Sequence, residues 1–172
     1  MKKFSIAMLS MVLAGSMLLT GCGAAETFET VGDIWAAMET AAPARQVRLT
    51  LPEEAAAAAG AGDGETVYQC DGYELTSEVL PGGDLHRTVK TVSGFEPERL
   101  TILKTGRGGV SRYDFVWTAA GEEGEQVGRA AVLDDGRYHY VLTVQADAAR
   151  SGELTETWNQ LFSGFSLESE EY

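Results

Sequence analysis

Apolar and polar residues alternate along much of the chain after residue 65, a pattern that predicts β-strands. The first clear run occupies residues 66–80 and is divided by Asp71-Gly72, a dipeptide typical of tight hairpin turns. After the turn, Tyr73, Leu75 and Val79 alternate with polar residues. The run therefore predicts a β-hairpin with a type I′ turn and with one face in contact with water.

Four further strands are predicted in the second half of the chain, at residues 100–105, 110–118, 126–133 and 137–146. Short turns rich in glycine or aspartate separate them, so we expect an antiparallel meander. In the last strand, Tyr140 and Leu142 share one face while Val141 occupies the other. A strand that is apolar on both faces needs cover on both, which predicts helices on both sides of the sheet.

Three helices are predicted from apolar residues at helical spacing. The first covers residues 27–41, the second is a short helix capped by Asp84, and the third begins with Ser151 as its cap. The apolar stripe of the third helix consists of Leu154, Trp158, Leu161 and Phe162. Ser93-Gly94-Phe95 and Ser163-Gly164-Phe165 follow the second and third helices, and each predicts a left-handed glycine that ends its helix.

A strand and a helical turn are also predicted ahead of the hairpin. Residues 46–51 alternate well enough for a strand. Pro52 at a helix start, followed by Glu53 and Glu54 and then by the alanine run 55–59, favours one or two helical turns. The glycine-rich residues 60–64 match neither the phosphate-binding nor the calcium-binding loop pattern. They are expected to form a connector.

The N-terminus has the features of a bacterial secretion signal. Lys2 and Lys3 precede the mostly apolar residues 6–19, a run shorter than the roughly 20 residues that a membrane-spanning helix needs. Leu19-Thr20-Gly21-Cys22 then resembles the lipobox of bacterial lipoproteins. This resemblance implies that a signal peptide, residues 1–21, is removed and that the thiol of Cys22 carries lipid. An ordinary secretory signal that happens to end near a cysteine is the alternative.

On this interpretation, residues 22–26 form a lipidated tether and residues 27–172 form a single globular domain. One acyl chain binds a bilayer only marginally, whereas two or more hold a protein stably. We therefore expect the protein at the extracytoplasmic face of the cell membrane, attached to the membrane through the lipid on Cys22.

Composition narrows the set of partners. The chain has 26 acidic and 13 basic residues, with a formal charge of −13 at pH 7. Such a surface is repelled by nucleic acid and by anionic lipid headgroups, so nucleic acid is not an expected partner. The two cysteines are Cys22 and Cys70. With lipid on Cys22 no internal disulfide is possible, and Cys70 is expected to be a small buried hydrophobe. A reactive thiol and an intermolecular link are the alternatives.

Residue types that carry chemistry are present but scattered. His86 and His139 lie on different predicted elements and lack the spacing of a zinc site. Acidic residues cluster on loops and turns, where solvated charge is the simpler interpretation and a bound cation is the alternative. The clusters are Glu122, Glu123 and Glu125, and the pair Asp134 and Asp135.

Arg107 and Arg112 lie beside a predicted turn and are expected to face solvent, with an anionic partner as the alternative. We therefore expect no catalytic, cofactor-binding or metal-binding residue and no enzymatic activity. The lipid-attachment residue Cys22 is the one functional residue that the sequence predicts.

The order of elements resembles the PsbP-like superfamily over about residues 47–167, most clearly in the tyrosine-rich strand 137–146 and the aromatic helix and tail 154–167. The resemblance implies an α+β fold. An antiparallel β-sheet of about six to seven strands would be flanked by helices on both faces, as an α/β/α sandwich. The leading helix 27–41 is not part of that pattern.

Members of the PsbP-like superfamily mostly act as accessory or binding subunits. The resemblance thus implies a non-catalytic binding or accessory module of the cell envelope, with an envelope protein or a small ligand as partner. Two alternatives stay open. One is a carrier of a lipid or another hydrophobic ligand, similar to LolA, and the other is a hydrolase whose reactive residues meet only in the folded chain.

Overall fold

A computed structural model describes residues 42–58, 64–121 and 124–168 of the chain. The predicted signal peptide, Cys22, the tether and the predicted helix 27–41 lie outside these residues. Among the described helices, none is long and apolar enough to cross a bilayer.

Seven strands form one sheet, and every pairing between neighbours is antiparallel. They are β2 (Ala56–Ala57), β3 (Glu65–Cys70), β4 (Tyr73–Pro81), β5 (Ile102–Arg107), β6 (Val110–Ala120), β7 (Glu125–Asp134) and β8 (Tyr138–Asp147). Their spatial order is β2-β3-β4-β8-β7-β6-β5, so β4 of the first hairpin lies beside β8, the last strand of the meander. The predicted antiparallel sheet of six to seven strands is confirmed.

The predicted hairpin turn has the expected position but a different geometry. Cys70 and Tyr73 face each other across it, and Gly72 has a φ angle of 79°. A type I′ turn needs a positive φ angle at both central residues, and no non-glycine residue in the described ranges has one. Asp71 therefore does not adopt that conformation, and the predicted turn type is wrong.

Two predictions for residues 46–58 are only partly correct. The strand expected at 46–51 is reduced to β1 (Val47–Arg48), which lies outside the main sheet and pairs with β9 (Ser166–Leu167). Its length is limited by the short partner. A single turn follows Pro52, in which Ala55 N donates to Pro52 O at 3.1 Å. Ala56 and Ala57 then form β2, because nucleation of a short helix is costly while the edge of β3 offers hydrogen-bond partners. One of these bonds joins Ala58 N to Val67 O at 2.8 Å.

Two helices, α1 (Leu85–Ser93) and α2 (Ser151–Gly164), pack in separate hydrophobic cores. The α2 core joins the predicted stripe of α2 to one face of β8, including Tyr140, Leu142 and Val144. The α1 core joins Val89 of α1 to the other face, including Val141. Strands buried on both faces were thus correctly predicted, although each core contains a single α-helix among the described residues.

The starts and ends of the helices follow local side-chain chemistry. Asp84 caps α1 as predicted, since its Oδ1 accepts a hydrogen bond from Arg87 N at 3.2 Å. Gly94 ends α1 in the left-handed conformation, with a φ angle of 76°. Gly164 does not repeat this role, because α2 runs through it and ends when Phe165 N donates to Leu161 O at 3.1 Å.

The start of α2 also differs from the prediction. A 3₁₀ turn, Ala148–Arg150, leads directly into α2, and Asp147 caps that turn by accepting a hydrogen bond from Ala149 N at 3.0 Å. Ser151 instead donates its hydroxyl to Ala148 O. The predicted cap at Ser151 is therefore wrong, because the capping carboxylate lies four residues earlier.

Candidate functional site

An open cleft of about 760 Å³ lies between the β1–β9 ribbon and the hairpin end of β5 and β6. It contains four of the nine arginines of this acidic chain, and we call it the arginine cleft. The arginines are Arg45, Arg48, Arg107 and Arg112. The apolar part of its lining comes from Val110, Leu133, Phe165 and Leu167. The cleft thus combines guanidinium groups with an apolar floor.

Arg112 is held rigidly by neighbouring groups. Its Nε and Nη2 donate to the two carboxylate oxygens of Asp114, at 2.7 and 2.9 Å, in a bidentate pair. Its Nη1 and Nη2 also donate to the carbonyls of Phe165 and Phe162, at 3.2 and 2.8 Å. The carbonyls at a helix end have no partner within the helix, so Arg112 satisfies the C-terminus of α2 and ties it to β6.

Arg45 is also tied to the fold, at the opposite wall of the cleft. Its backbone N donates to the Tyr140 hydroxyl at 2.9 Å, and its Nη2 donates to Glu168 O at 2.6 Å. The Nε of Arg45 is buried and has no hydrogen-bond partner among the described residues. Arg45 therefore fixes the ribbon against the end of β8.

A carboxylate beside Arg45 is stabilised in its charged form. Burial acts to raise the pKa of Asp135, but hydrogen bonds from Tyr138 N, Arg137 N and the Tyr140 hydroxyl, together with the charge of Arg45, outweigh burial and lower this pKa. Asp135 thus closes the β7–β8 turn as an anion and offsets part of the charge of Arg45.

Arg48 and Arg107 differ from the other two arginines because their side chains are exposed. Neither guanidinium has an ion pair or hydrogen bond with another described residue. A planar guanidinium with free donors matches the geometry of a carboxylate or a phosphate, which it binds through two parallel hydrogen bonds. These two residues are therefore the groups of the cleft that are available to an anion.

A second cavity of about 230 Å³ continues the basic surface on the other side of Arg45. Its lining includes Arg137, Asp135 and Tyr138, together with Ala42, the first described residue. We call the part of the molecule that carries both cavities the arginine end.

Only part of this site is predictable from the sequence. Arg107 and Arg112 were expected to face solvent, whereas Arg112 is paired and only about a quarter exposed. Arg45 and Arg48 belong to no motif and were not predicted. Their proximity to Arg107 arises from the pairing of β1 with β9, which no local pattern predicts.

A second group of polar side chains lies near the start of α1. His86 Nε2 is 3.2 Å from Glu98 Oε1 and 3.9 Å from Glu96 Oε2. The ligand atoms of the three residues all lie within 4.8 Å of one another, so the group is able to hold a cation. Lys90 pairs with the other oxygen of Glu96 and competes with a cation there. This group has no sequence motif, because His86 lies within α1 whereas Glu96 and Glu98 follow the end of that helix.

The other candidate residues within the described ranges take part in packing or turn formation. His139 is 1% exposed, and its Nδ1 lies 2.8 Å from the Thr88 hydroxyl, which links β8 to α1. Cys70 is partly buried against the α2 core, and burial raises the pKa of its thiol, so the reactive thiolate is disfavoured. Asp134 accepts a hydrogen bond from Gly136 N in the turn after β7. The predicted acidic residues 122 and 123 lie outside the described residues.

No protein-family model matches the chain, and no curated protein sequence matches it. Its fold is nevertheless similar to solved structures. The solution structure of cyanobacterial PsbP (CyanoP) from Synechocystis sp. PCC 6803 matches 71% of this chain and 86% of its own, with a TM-score of 0.54 and 14% identity. LpqN, involved in cell envelope biogenesis of Mycobacterium tuberculosis, matches 84% of this chain and 100% of its own, with a TM-score of 0.50 and 10% identity.

A Bacteroides thetaiotaomicron protein gives a TM-score of 0.50 at 8% identity, over 72% of this chain and 46% of its own. At such low identities these similarities concern the fold alone. They support a PsbP-like fold for the antiparallel sheet.

Proposed function

We propose that the protein is a non-catalytic binding module of the cell envelope, anchored in the membrane by lipid on Cys22, and that it binds an anionic partner in the arginine cleft. One observation carries this proposal. Four of nine arginines surround one cleft whose described lining contains no aspartate or glutamate, in a chain with twice as many acidic as basic residues.

The distribution of charge supports an anionic partner. Asp114 pairs with Arg112 and Asp135 offsets part of the charge of Arg45, so the attraction for an anion comes mainly from Arg48 and Arg107. Because most of the remaining surface is acidic, an anion is repelled from other parts of the molecule and attracted to the cleft. Arg45 and Arg112 are fixed by the fold, so the cleft keeps its shape while Arg48 and Arg107 supply free donors.

The envelope location rests on the lipobox and on one comparison. LpqN, which shares the fold, is described as involved in cell envelope biogenesis. That description agrees with an extracytoplasmic lipoprotein, as the Leu19-Thr20-Gly21-Cys22 sequence predicts.

Binding of pyrophosphate tests the proposed function. We would titrate the chain from residue 22, carrying Cys22→Ala, with pyrophosphate by isothermal calorimetry at low salt. Removing one charge-assisted partner with Arg48→Ala or Arg107→Ala should weaken binding by about tenfold or more. Arg87→Ala, which removes an exposed arginine from α1, is the matched control and should leave binding unchanged. Absence of binding, or binding that both cleft variants retain, would contradict the proposal.

The apolar residues that line the cleft favour a second candidate function, that of a lipid carrier. The cores on the two faces of the sheet contain large side chains such as Tyr140 and Phe162, so a carried lipid would occupy the cleft and not the interior. Native mass spectrometry of the purified chain separates the two functions, because a carrier should retain a bound lipid. The hydrolase alternative stays a prediction of the sequence analysis.

A further inference from the structure

We infer that the anion bound at the arginine cleft is the phosphate of an acidic phospholipid headgroup, and that the arginine end of the domain faces the bilayer that holds the anchor. This inference rests on the proposed function and names its ligand. Free phosphate shares the same chemistry, so the experiment below compares both sources.

The cleft is amphipathic in the way that a phospholipid is. A phospholipid headgroup places a phosphate next to apolar glycerol ester and acyl groups. In the cleft, Arg48 and Arg107 lie beside an apolar floor that includes Val110, Leu133 and Leu167. A free inorganic anion would use the guanidinium groups alone, whereas a lipid would use the floor as well.

The anchored segment also joins the domain at this end. Tyr138 donates its hydroxyl to the carbonyl of Ala42 at 3.0 Å, and both residues line the smaller cavity beside Arg45. Ala42 is the first described residue on the side of the chain that leads back to Cys22. Tethering raises the effective concentration of the domain at its anchoring surface, and the chain from the anchor enters the domain at the arginine end.

Charge separation favours the same orientation. An anionic bilayer attracts each nearby arginine or lysine with a contribution of about fivefold in affinity, and this attraction falls off within a Debye length. The arginine end lies within that range when it contacts headgroups, while the acidic remainder of the chain is repelled from them. The total charge alone predicts only repulsion from anionic headgroups, because it contains no information on where the arginines lie in the fold.

Vesicle co-sedimentation tests this inference. We would use the chain from residue 22 with Cys22→Ala, so that no lipid anchor is present, and vesicles of phosphatidylcholine alone or mixed with phosphatidylglycerol. The chain should bind the mixed vesicles and not the neutral ones. Arg48→Ala with Arg107→Ala should weaken binding by about tenfold or more. Arg87→Ala with Arg99→Ala removes the same charge from exposed positions near α1 and should leave binding nearly unchanged.

The outcomes separate the two proposals. Binding of pyrophosphate without binding of the mixed vesicles would overturn the lipid inference and leave the proposed function in place. Absence of pyrophosphate binding would overturn the proposed function, and with it the lipid inference that rests on it. Vesicle binding that the two double variants reduce equally would show attraction by charge in general, and would overturn the assignment to the arginine cleft.

Discussion

At the scale of single residues, close contacts decide which side chains the fold accepts. Gly128 of β7 lies opposite Trp117 of β6, and a Cβ atom on Gly128 would lie 2.2 Å from the indole ring. Trp117 is only 8% exposed and has little room to move. Gly128→Ala is therefore expected to lower the free energy of unfolding by about 1–3 kcal/mol through overpacking, as measured in a denaturant titration.

Two companion variants make this prediction specific. Gly152→Ala places a Cβ atom in open space on α2 and should not destabilise the protein. Trp117→Phe should cost less in the Gly128→Ala background than in the wild type, because the smaller ring relieves the clash. Additive effects of the two substitutions on the free energy of unfolding would show that contact with the Trp117 ring is not the cause of the destabilisation.

Most of the residues of the candidate site could not be predicted from the sequence. Arg107 and Arg112 are close in sequence and were considered together, but Arg45 and Arg48 reach them only through a two-residue ribbon formed by distant segments. Pairing of short segments that are more than a hundred residues apart leaves no periodic signal. The site could therefore be found only from the folded chain.

At the scale of elements, the β3–β4 hairpin contains a pair of like charges. Glu65 and Glu78 are directly opposite each other in the strand register. Burial, and secondarily the charge of Glu65, raises the pKa of Glu78. A carboxyl group whose pKa is raised by folding stabilises the fold below its unfolded pKa, and this contribution is lost as the pH rises through the folded value.

Glu78→Gln should therefore raise the free energy of unfolding at pH 7, by about 0.2–1 kcal/mol because solvent screens the pair. The gain should disappear at a pH below the ordinary carboxyl pKa, where Glu78 is protonated in both states. Urea titrations at the two pH values measure this difference, with the exposed Glu125→Gln as control. A gain that is the same at both pH values would contradict an electrostatic origin.

Helix α2 is expected to supply a large share of the stability. Trp158 is 5% exposed and packs edge-to-face against Tyr73 of β4, with ring centroids 6.2 Å apart. Trp158→Ala should cost about 3–5 kcal/mol of unfolding free energy, whereas Glu156→Ala on the exposed side of α2 should have little effect. A loss below about 1 kcal/mol for Trp158→Ala in denaturant would mean that α2 is not docked on the sheet.

Elements with a long apolar pattern were predictable, and those that depend on a distant partner were not. The stripe of α2 and the two faces of β8 were correct because burial imposes a period of 3.6 or 2 on the sequence. The alanine run became β2 because the free edge of β3 competes with a helix that is too short to be stable alone. Gly94 and Gly164 each lie in a Ser-Gly-Phe sequence, yet only Gly94 has a left-handed conformation. At the end of α2, Arg112 donates hydrogen bonds to the carbonyls of Phe162 and Phe165, so no left-handed glycine is needed there.

At the scale of the whole molecule, the proposed membrane location of an acidic domain requires a means of attachment. The described helices do not supply it, and the electrostatic attraction of a few arginines weakens with salt. Lipid on Cys22 would supply it, because two or more acyl chains hold a protein stably. The anchor would then determine where the protein resides, while the arginine end would determine how the domain is oriented.

This division of roles predicts different results for two kinds of variant in intact cells. Cys22→Ala should move the protein from the membrane fraction to the soluble fraction after a high-salt wash, as followed by immunoblot. Arg48→Ala with Arg107→Ala, in a chain that keeps Cys22, should stay in the membrane fraction, because the loss of two surface contacts is small beside the affinity of the acyl chains. Retention of Cys22→Ala on salt-washed membranes would show an attachment other than lipid, and metabolic labelling that finds no fatty acid on the wild-type protein would contradict the anchor itself.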